Sequence, residues 1–282
     1  MSGQVLVVTG AGGMGEAIAR RLGSGRTVVL GDVSEQALDR VATSLRADGF
    51  EVIATHLDVA SRASVRGLAE TAARAGDVTH IAHTAGLSPL GADTQAILRV
   101  DLYGVALVLE EFAAVVANGG AGVVVASMSG RMVSLPAEVE DAVIRAKADE
   151  LLQLPSFQAS ALPNPGIAYA LAKRANALLV MGASASWGAR RARINALSPG
   201  VISTALGKQE LAGPAGDRMR TLVAASAMHR FGTPSDIAEA AAFLLGPNAS
   251  FITGTELLVD GGAVAAMRSG PRVSASASTQ RA

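Results

Sequence analysis

The chain has no cysteine, one tryptophan and two tyrosines among 282 residues, and its formal net charge is zero. Each shortage excludes something. Without cysteine there is no disulfide, no thiolate nucleophile and no cysteine metal site, and a cytoplasmic location is the matching expectation. A balanced charge argues against a nucleic-acid binder that works by bulk electrostatics. Long apolar runs are missing too. Residues 104–117 come nearest to a membrane span, and Glu110 and Glu111 interrupt them. The mean hydropathy of +0.36 therefore reflects abundant Ala and Gly, and no membrane association is expected. The opening MSGQVLVVTG has no basic n-region and does not read as a signal peptide. His56, His80, His83 and His229 show no metal-ligand spacing, so no metal is expected; His80 and His83 read as structural histidines in an apolar run.

What is present is a rhythm. Short Val/Ile/Leu-rich runs at 4–8, 27–31, 51–57, 78–83, 122–127, 192–198 and 256–260 read as strands. Several run without polar alternation, as strands covered on both faces do. Helical patterns near 13–23, 34–48, 61–75, 93–117, 167–187 and 235–245 fall between them. The alternation predicts an α/β fold, a doubly wound Rossmann-type domain with a seven-stranded parallel sheet and helices on both faces. No linker divides the chain, so residues 1–268 read as one domain. Residues 131–166 are too long for a strand–helix connection. They read as an inserted surface helix, opened near Ser134 and Pro136 and closed by Pro155. The Ser/Ala-rich tail, 269–282, reads as disordered.

Three local patterns carry chemistry. VVTGAGGMGEAIA places Gly10, Gly12 and Gly15 between a strand and a helix, where a pyrophosphate needs bare backbone N–H groups. Asp32 ends the second strand, 22 residues after Gly10, where a carboxylate accepts hydrogen bonds from ribose hydroxyls and repels a 2′-phosphate. The following Val33-Ser34 brings no Arg or Lys, so NAD is expected over NADP. Tyr169 and Lys173 are four residues apart and share a helix face. A lysine ammonium beside a phenol favours the phenolate and lowers its pKa from about 10 toward neutrality, which suits a general acid or base.

Taken in order, these residues resemble a short-chain dehydrogenase/reductase of the compact, single-domain type. The resemblance covers residues 3–263. Its markers are Thr9-Gly10…Gly13-Met14-Gly15, Asp32, LDV at 57–59, TAG at 84–86, Ser127, Tyr169, Lys173, NALSPG at 195–200, Thr204, RFGTPSDIA at 230–238 and DGG at 260–262. The long gap before the tyrosine and the VDGGAVAAMR ending are similar to those of bacterial 3α-hydroxysteroid dehydrogenase/carbonyl reductases. The resemblance implies a cofactor site of Gly10, Gly12, Gly13, Met14, Asp32, Val33, Leu57, Asp58, Val59, Ala85, Gly86, Tyr169, Lys173, Pro199, Gly200, Val201 and Thr204. Asp58 and Val59 would hold the adenine; Pro199, Val201 and Thr204 would border the nicotinamide. It implies a catalytic set of Ser127, Tyr169, Lys173 and Asp101, with Ser127 rather than Ser129 as the serine that holds the substrate oxygen.

The chain departs from the family pattern at three places. One residue is missing between Gly10 and Gly13. Asp101 stands where the family usually has Asn; it either stabilises the Lys173 ammonium, damages the proton relay, or fills a local structural role. Ser127 and Tyr169 are 42 residues apart, which leaves the insertion either covering substrate or embellishing an outer or oligomeric surface. The reading is an NAD(H)-dependent oxidoreductase for an apolar, steroid-like or alicyclic secondary alcohol or ketone, with Met128, Met132, Leu135 and Leu206 near the pocket, acting as a homodimer or homotetramer. The alternative is a catalytically weak NAD-binding sensor or scaffold of the same fold.

Overall fold

The computed structural model describes residues 3–269. The tail assigned as disordered lies, beyond Ser269, outside the described residues. Seven parallel strands form one sheet in the order β3-β2-β1-β4-β5-β6-β7. They are β1 Gln4–Thr9, β2 Thr27–Asp32, β3 Glu51–His56, β4 Asp77–His83, β5 Val116–Val125, β6 Arg193–Pro199 and β7 Glu256–Val259. The helices are α1 Gly13–Leu22, α2 Glu35–Ala47, α3 Arg62–Ala75, α4 Thr94–Ile97, α5 Gly104–Ala113, α6 Ala137–Arg145, α7 Ala148–Leu151, α8 Pro165–Gly188, α9 Ala205–Ala212, α10 Gly216–Ala225, α11 Pro234–Leu245 and α12 Ala263–Ser269. This is the doubly wound fold that the alternation predicts. One face buries Val5, Val7 and Ile81 of the sheet with Leu68, Leu107 and Trp187 of the helices; the other buries Leu6, Val8 and Leu30 with Ile18, Leu45 and Leu244. Adjacent residues of β1 thus serve opposite cores, as a strand period of two requires.

Local sequence explains where the regular helices start. Ser34 and Ser61 accept hydrogen bonds from the first turns of α2 and α3. Thr233 and Asp236 form a reciprocal capping box at α11, with Pro234 at its first position. At α8 the Asn164 side chain accepts from the Ile167 N–H and Pro165 takes the first position, two residues earlier than the hydrophobic pattern alone indicates.

Two segments correct the sequence reading. The helix expected over 93–117 is α4, a π-helical stretch Leu98–Tyr103, and α5; residues from Val116 belong to β5. The insertion does not run as one helix to Pro155. α6 ends at Arg145, α7 follows, and two short 3-10 turns lead to α8. Nor is it a free surface helix. Val143, Ala148, Leu151 and Phe157 are buried in the main core. Each large side chain so buried contributes about 1.5–3 kcal/mol. Gly182 of α8 lets α6 approach: a Cβ there would lie 2.1 Å from the Ile144 carbonyl oxygen. Arg174 pairs with Glu140 at 2.6 Å, and Arg62 gathers Glu110, Glu111 and Asp149. The insertion therefore packs along α5 and α8.

Among the described residues, no helix is long and apolar enough to cross a membrane, and no cluster of three or more His, Cys, Asp or Glu is placed to hold a metal ion.

Candidate active site

The sheet order reverses direction between β1 and β4, so the loops leaving their carboxyl ends part and open a crevice. The glycine turn after β1 and the loop after β4 form its floor. Gly10 has φ +94°, and a Cβ there would meet the Ala85 nitrogen at 2.7 Å. Only glycine meets both demands. Thr84 Oγ1 ties the two loops together, donating toward the carbonyls of Thr9 at 2.8 Å and Gly10 at 3.1 Å. The sequence reading missed Thr84 as an anchor.

Asp32 stabilises the shortened turn. Its carboxylate accepts from the Ala11 N–H at 2.6 Å and the Ser34 N–H at 2.8 Å. Ala11 N–H is thereby committed to the protein. Beyond it, Gly12 and Gly13 are exposed, no side chain caps α1, and a Cβ on Gly12 would meet nothing within 4 Å. The first-turn N–H groups of α1 have no intrahelical partner. An open cradle of this kind at a helix N-terminus fits a pyrophosphate. Gly13 lies against the Thr204 methyl, its Cβ position 3.3 Å from Thr204 Cγ2, while Thr204 Oγ1 caps α9 through Gly207 N–H at 3.0 Å. The other cofactor candidates fall around the same crevice. Leu57, Asp58 and Val59 follow β3, Ala85 and Gly86 follow β4, and Pro199, Gly200 and Val201 close β6. Met14 lies in the first turn of α1, and Val33 stands exposed beside Asp32.

The catalytic candidates meet where α8 crosses the ends of β4 and β5. Lys173 Nζ lies 5.4 Å from the centre of the Tyr169 ring, one turn away along α8. Ser127 ends the loop after β5, caps a 3-10 turn, and accepts from Ser129 Oγ at 2.8 Å. Ser127 also lies near enough to Tyr169 to favour its phenolate. Asp101 sits in the π-helical stretch, fully buried, with Oδ1 2.9 Å from Lys173 Nζ. The Leu87 N–H donates to both Asp101 oxygens, at 3.3 and 3.1 Å. Gly86 must be bare above this pair, because a Cβ would come within 2.6 Å of Asp101 Oδ1. Of the three readings of Asp101, the geometry supports the ion pair with Lys173 and, through the Leu87 N–H, a local structural role.

Burial of the site runs against one electrostatic expectation. The Tyr169 phenol is pushed above its ordinary range rather than toward neutrality, by burial first; Asp101 and Glu210 add to the rise, while Lys173 and Ser127 oppose it. Asp101 holds Lys173 above its usual value against burial, and burial pushes Asp101 up against the Lys173 charge and the Leu87 N–H. Beneath the site, His83 is buried beside Thr9, its Nδ1 2.6 Å from Thr9 Oγ1, and burial takes its pKa down to about 3. Met128 packs into a small third core with Val201, Val223, Ala263 and Val264; Met132 and Leu206 are exposed, and Leu135 packs against the main core. A cavity of about 90 Å³ beside Val201 and Met228 is lined by none of Ser127, Tyr169 and Lys173.

Comparison with known proteins identifies the family of the chain. Residues 4–139 match the family model described as short chain dehydrogenase, and residues 138–264 match one described as Enoyl-(Acyl carrier protein) reductase. The chain is 39% identical over 267 residues to the short-chain dehydrogenase/reductase bsc3 of Alternaria brassicicola, covering 94% of this chain and 97% of the relative. It is 33% identical over 270 residues to the cis-4-hydroxycyclohexanecarboxylate dehydrogenase of Sinomonas cyclohexanicum, covering 92% and 96%. A solved short-chain dehydrogenase/reductase from Serratia marcescens superposes with a TM-score of 0.73 at 25% identity, covering 93% of this chain and 98% of that one. A family fold that binds a nicotinamide cofactor, the full-length identity and the crevice together establish that the chain belongs to the short-chain dehydrogenase/reductase family, enzymes that act on CH–OH groups.

Proposed function

We propose that this chain is an NAD(H)-dependent oxidoreductase that interconverts an alicyclic secondary alcohol and its ketone, with Tyr169 as general acid and base. The observation that carries the reading is the convergence of Ser127, Tyr169 and Lys173 beside the uncapped glycine turn. Gly12, Gly13 and Met14 would hold the pyrophosphate, and Asp32 the adenosine ribose. Asp32 supports NAD: its oxygens keep lone pairs for ribose hydroxyls beyond the Ala11 and Ser34 bonds, and its charge repels a 2′-phosphate. When bound, the nicotinamide supplies the hydride acceptor or donor. In oxidation, Tyr169 takes the proton from the substrate hydroxyl as the carbon gives up its hydride, leaving C=O; in reduction it returns that proton. Ser127 holds the substrate oxygen, and the Lys173 charge stabilises the phenolate as it forms. The alicyclic ring, as distinct from its substituents, rests on the relative whose name specifies a hydroxycyclohexanecarboxylate.

We read the chain as a homo-oligomer acting in the cytoplasm. The insertion covers part of α5 and α8, so any pairing through these long helices is altered by it.

The test is a panel of cyclic alcohols with NAD and NADP side by side. The expected result is at least about tenfold higher kcat/KM with NAD, about 1.4 kcal/mol. A preference for NADP overturns the assignment of Asp32. Tyr169→Phe should lower kcat by about 10²–10⁴-fold while nicotinamide fluorescence still reports binding. Cofactor binding with no turnover by the unaltered chain would favour the sensor reading.

A further inference from the structure

The loop after β4 and helix α9 meet over the site, although they are far apart in sequence. Ser88 Oγ donates a short hydrogen bond to Glu210 Oε1. Ser88 is itself buried, and its neighbour Leu87 holds Asp101 through the backbone. Two consecutive residues thus fix two carboxylates, Asp101 behind Lys173 and Glu210 on the lip of the crevice. The Asp101 charge is balanced by Lys173 at 2.9 Å. Glu210 has no paired cation among the described residues; its partner is a neutral hydroxyl. It lies near enough to Tyr169 to raise the phenol, so its field reaches the reacting end of the site. Close packing of the same two segments recurs at Gly213, where a Cβ would lie 3.1 Å from Leu90 Cδ1.

We propose that Glu210 is a specificity-determining residue: it sets a fixed carboxylate at the substrate entrance, admits neutral substrates whose remote end offers an O–H or N–H donor, and rejects carboxylates. The inference rests on the reading of Tyr169 as the reacting group. Two unit charges about 4 Å apart repel by about 1 kcal/mol in water and by about 4 at the effective dielectric of a protein surface. A negative group brought beside Glu210 meets that repulsion, whereas a donor finds an acceptor oxygen already oriented by Ser88. The inference separates this chain from the relative named for a hydroxycyclohexanecarboxylate.

The experiment uses the full chain with reduced nicotinamide cofactor bound and follows cofactor fluorescence at neutral pH. The probes are cyclohexanecarboxamide and cyclohexanecarboxylate, alike in shape and different in charge. The amide should bind about tenfold or more tightly. In Glu210→Gln the ratio should fall to within about threefold, chiefly because the acid binds better. Glu210→Asp, which retains the charge, should keep the preference and guards against a Gln variant that fails to fold. Equal binding of the two probes to the unaltered chain, or a ratio that survives in Glu210→Gln, overturns the inference. Loss of the ratio in Glu210→Asp overturns the charge argument. Failure of the cofactor to bind overturns the functional reading, and this inference with it; lack of discrimination with cofactor bound overturns this inference alone.

Discussion

In the half of the molecule formed by β1–β3 with α1–α3, α2 and α3 each start on a serine cap and are followed by a tight turn at Asp48 or Gly76. The half formed by β4–β7 is built differently. Between β4 and β5 the helix widens into a π turn at Leu98–Tyr103, and between β5 and β6 a braced insertion precedes α8. Each irregularity carries a functional candidate. Asp101 sits in the π turn, Ser127 caps a 3-10 turn, and Glu210 lies in a helix that closes over the crevice. The regular half exposes bare backbone at its glycine turn; the irregular half sets side chains at angles a plain helix would not give.

Four substitutions or conditions test that contrast. The largest effect is expected at Asp101. Asp101→Ala leaves Lys173 buried without its counter-charge and should cost about 3–5 kcal/mol in urea unfolding. Asp101→Asn, which keeps the shape, should cost less. It also removes a negative charge that raises Tyr169, so the acid limb of the oxidation pH profile should move to lower pH. A loss below about 1 kcal/mol for the alanine variant would show that the pair is not what holds the π turn in place.

Gly182→Ala comes next, because its Cβ would press on the Ile144 carbonyl. A loss of about 1–3 kcal/mol is expected, with kcat/KM per folded molecule retained within about twofold. A large fall in kcat/KM would instead make the insertion part of the substrate site.

The third test is pH. Burial depresses His80 to about 4 and His83 to about 3, from 6.5 unfolded. The unfolded chain therefore binds more protons below 6.5. Stability is fully present above that value and falls as pH drops toward the folded values. From neutrality to about pH 5, His83 should account for a loss of about 2 kcal/mol. The urea midpoint should follow this slope, and His83→Leu should flatten it; a slope unchanged in that variant would assign the acid sensitivity elsewhere.

The smallest effect belongs to the regular half. Ser34→Ala and Ser61→Ala should each cost about 1 kcal/mol and add, since they cap separate helices. Strong non-additivity would mean that this half is as interdependent as the other.

Much of the architecture was legible because its signals are local. Short apolar runs alternating with helical patterns, and glycine between strand and helix, need no distant partner to be read, and they place β1–β4 and α1–α3. The order of Asp32, Ser127, Tyr169 and Lys173 pointed to the family in the same way. The π turn was not legible, because 93–117 is apolar on most sides and helical hydrophobicity does not distinguish a 3.6-residue turn from a wider one. The insertion was misjudged because its charged residues advertise a solvent face, while the surface that buries Val143 and Phe157 belongs to α5 and α8. Ser88 carried no signal at all, as an isolated hydroxyl in a loop, and Thr84 stood out only as the first residue of the TAG marker.

The sequence alone therefore determined the sheet, the glycine turn Gly10–Gly15 and which residue types stand ready at its mouth, because periodicity and backbone freedom are properties of neighbours in the chain. Only the tertiary structure decided that Asp101 neutralises Lys173, that Tyr169 is held above its ordinary range, and that Glu210 bonds to a serine 122 positions earlier. Charge and burial are set by whatever lies within a few ångströms in space, and chain distance does not encode that.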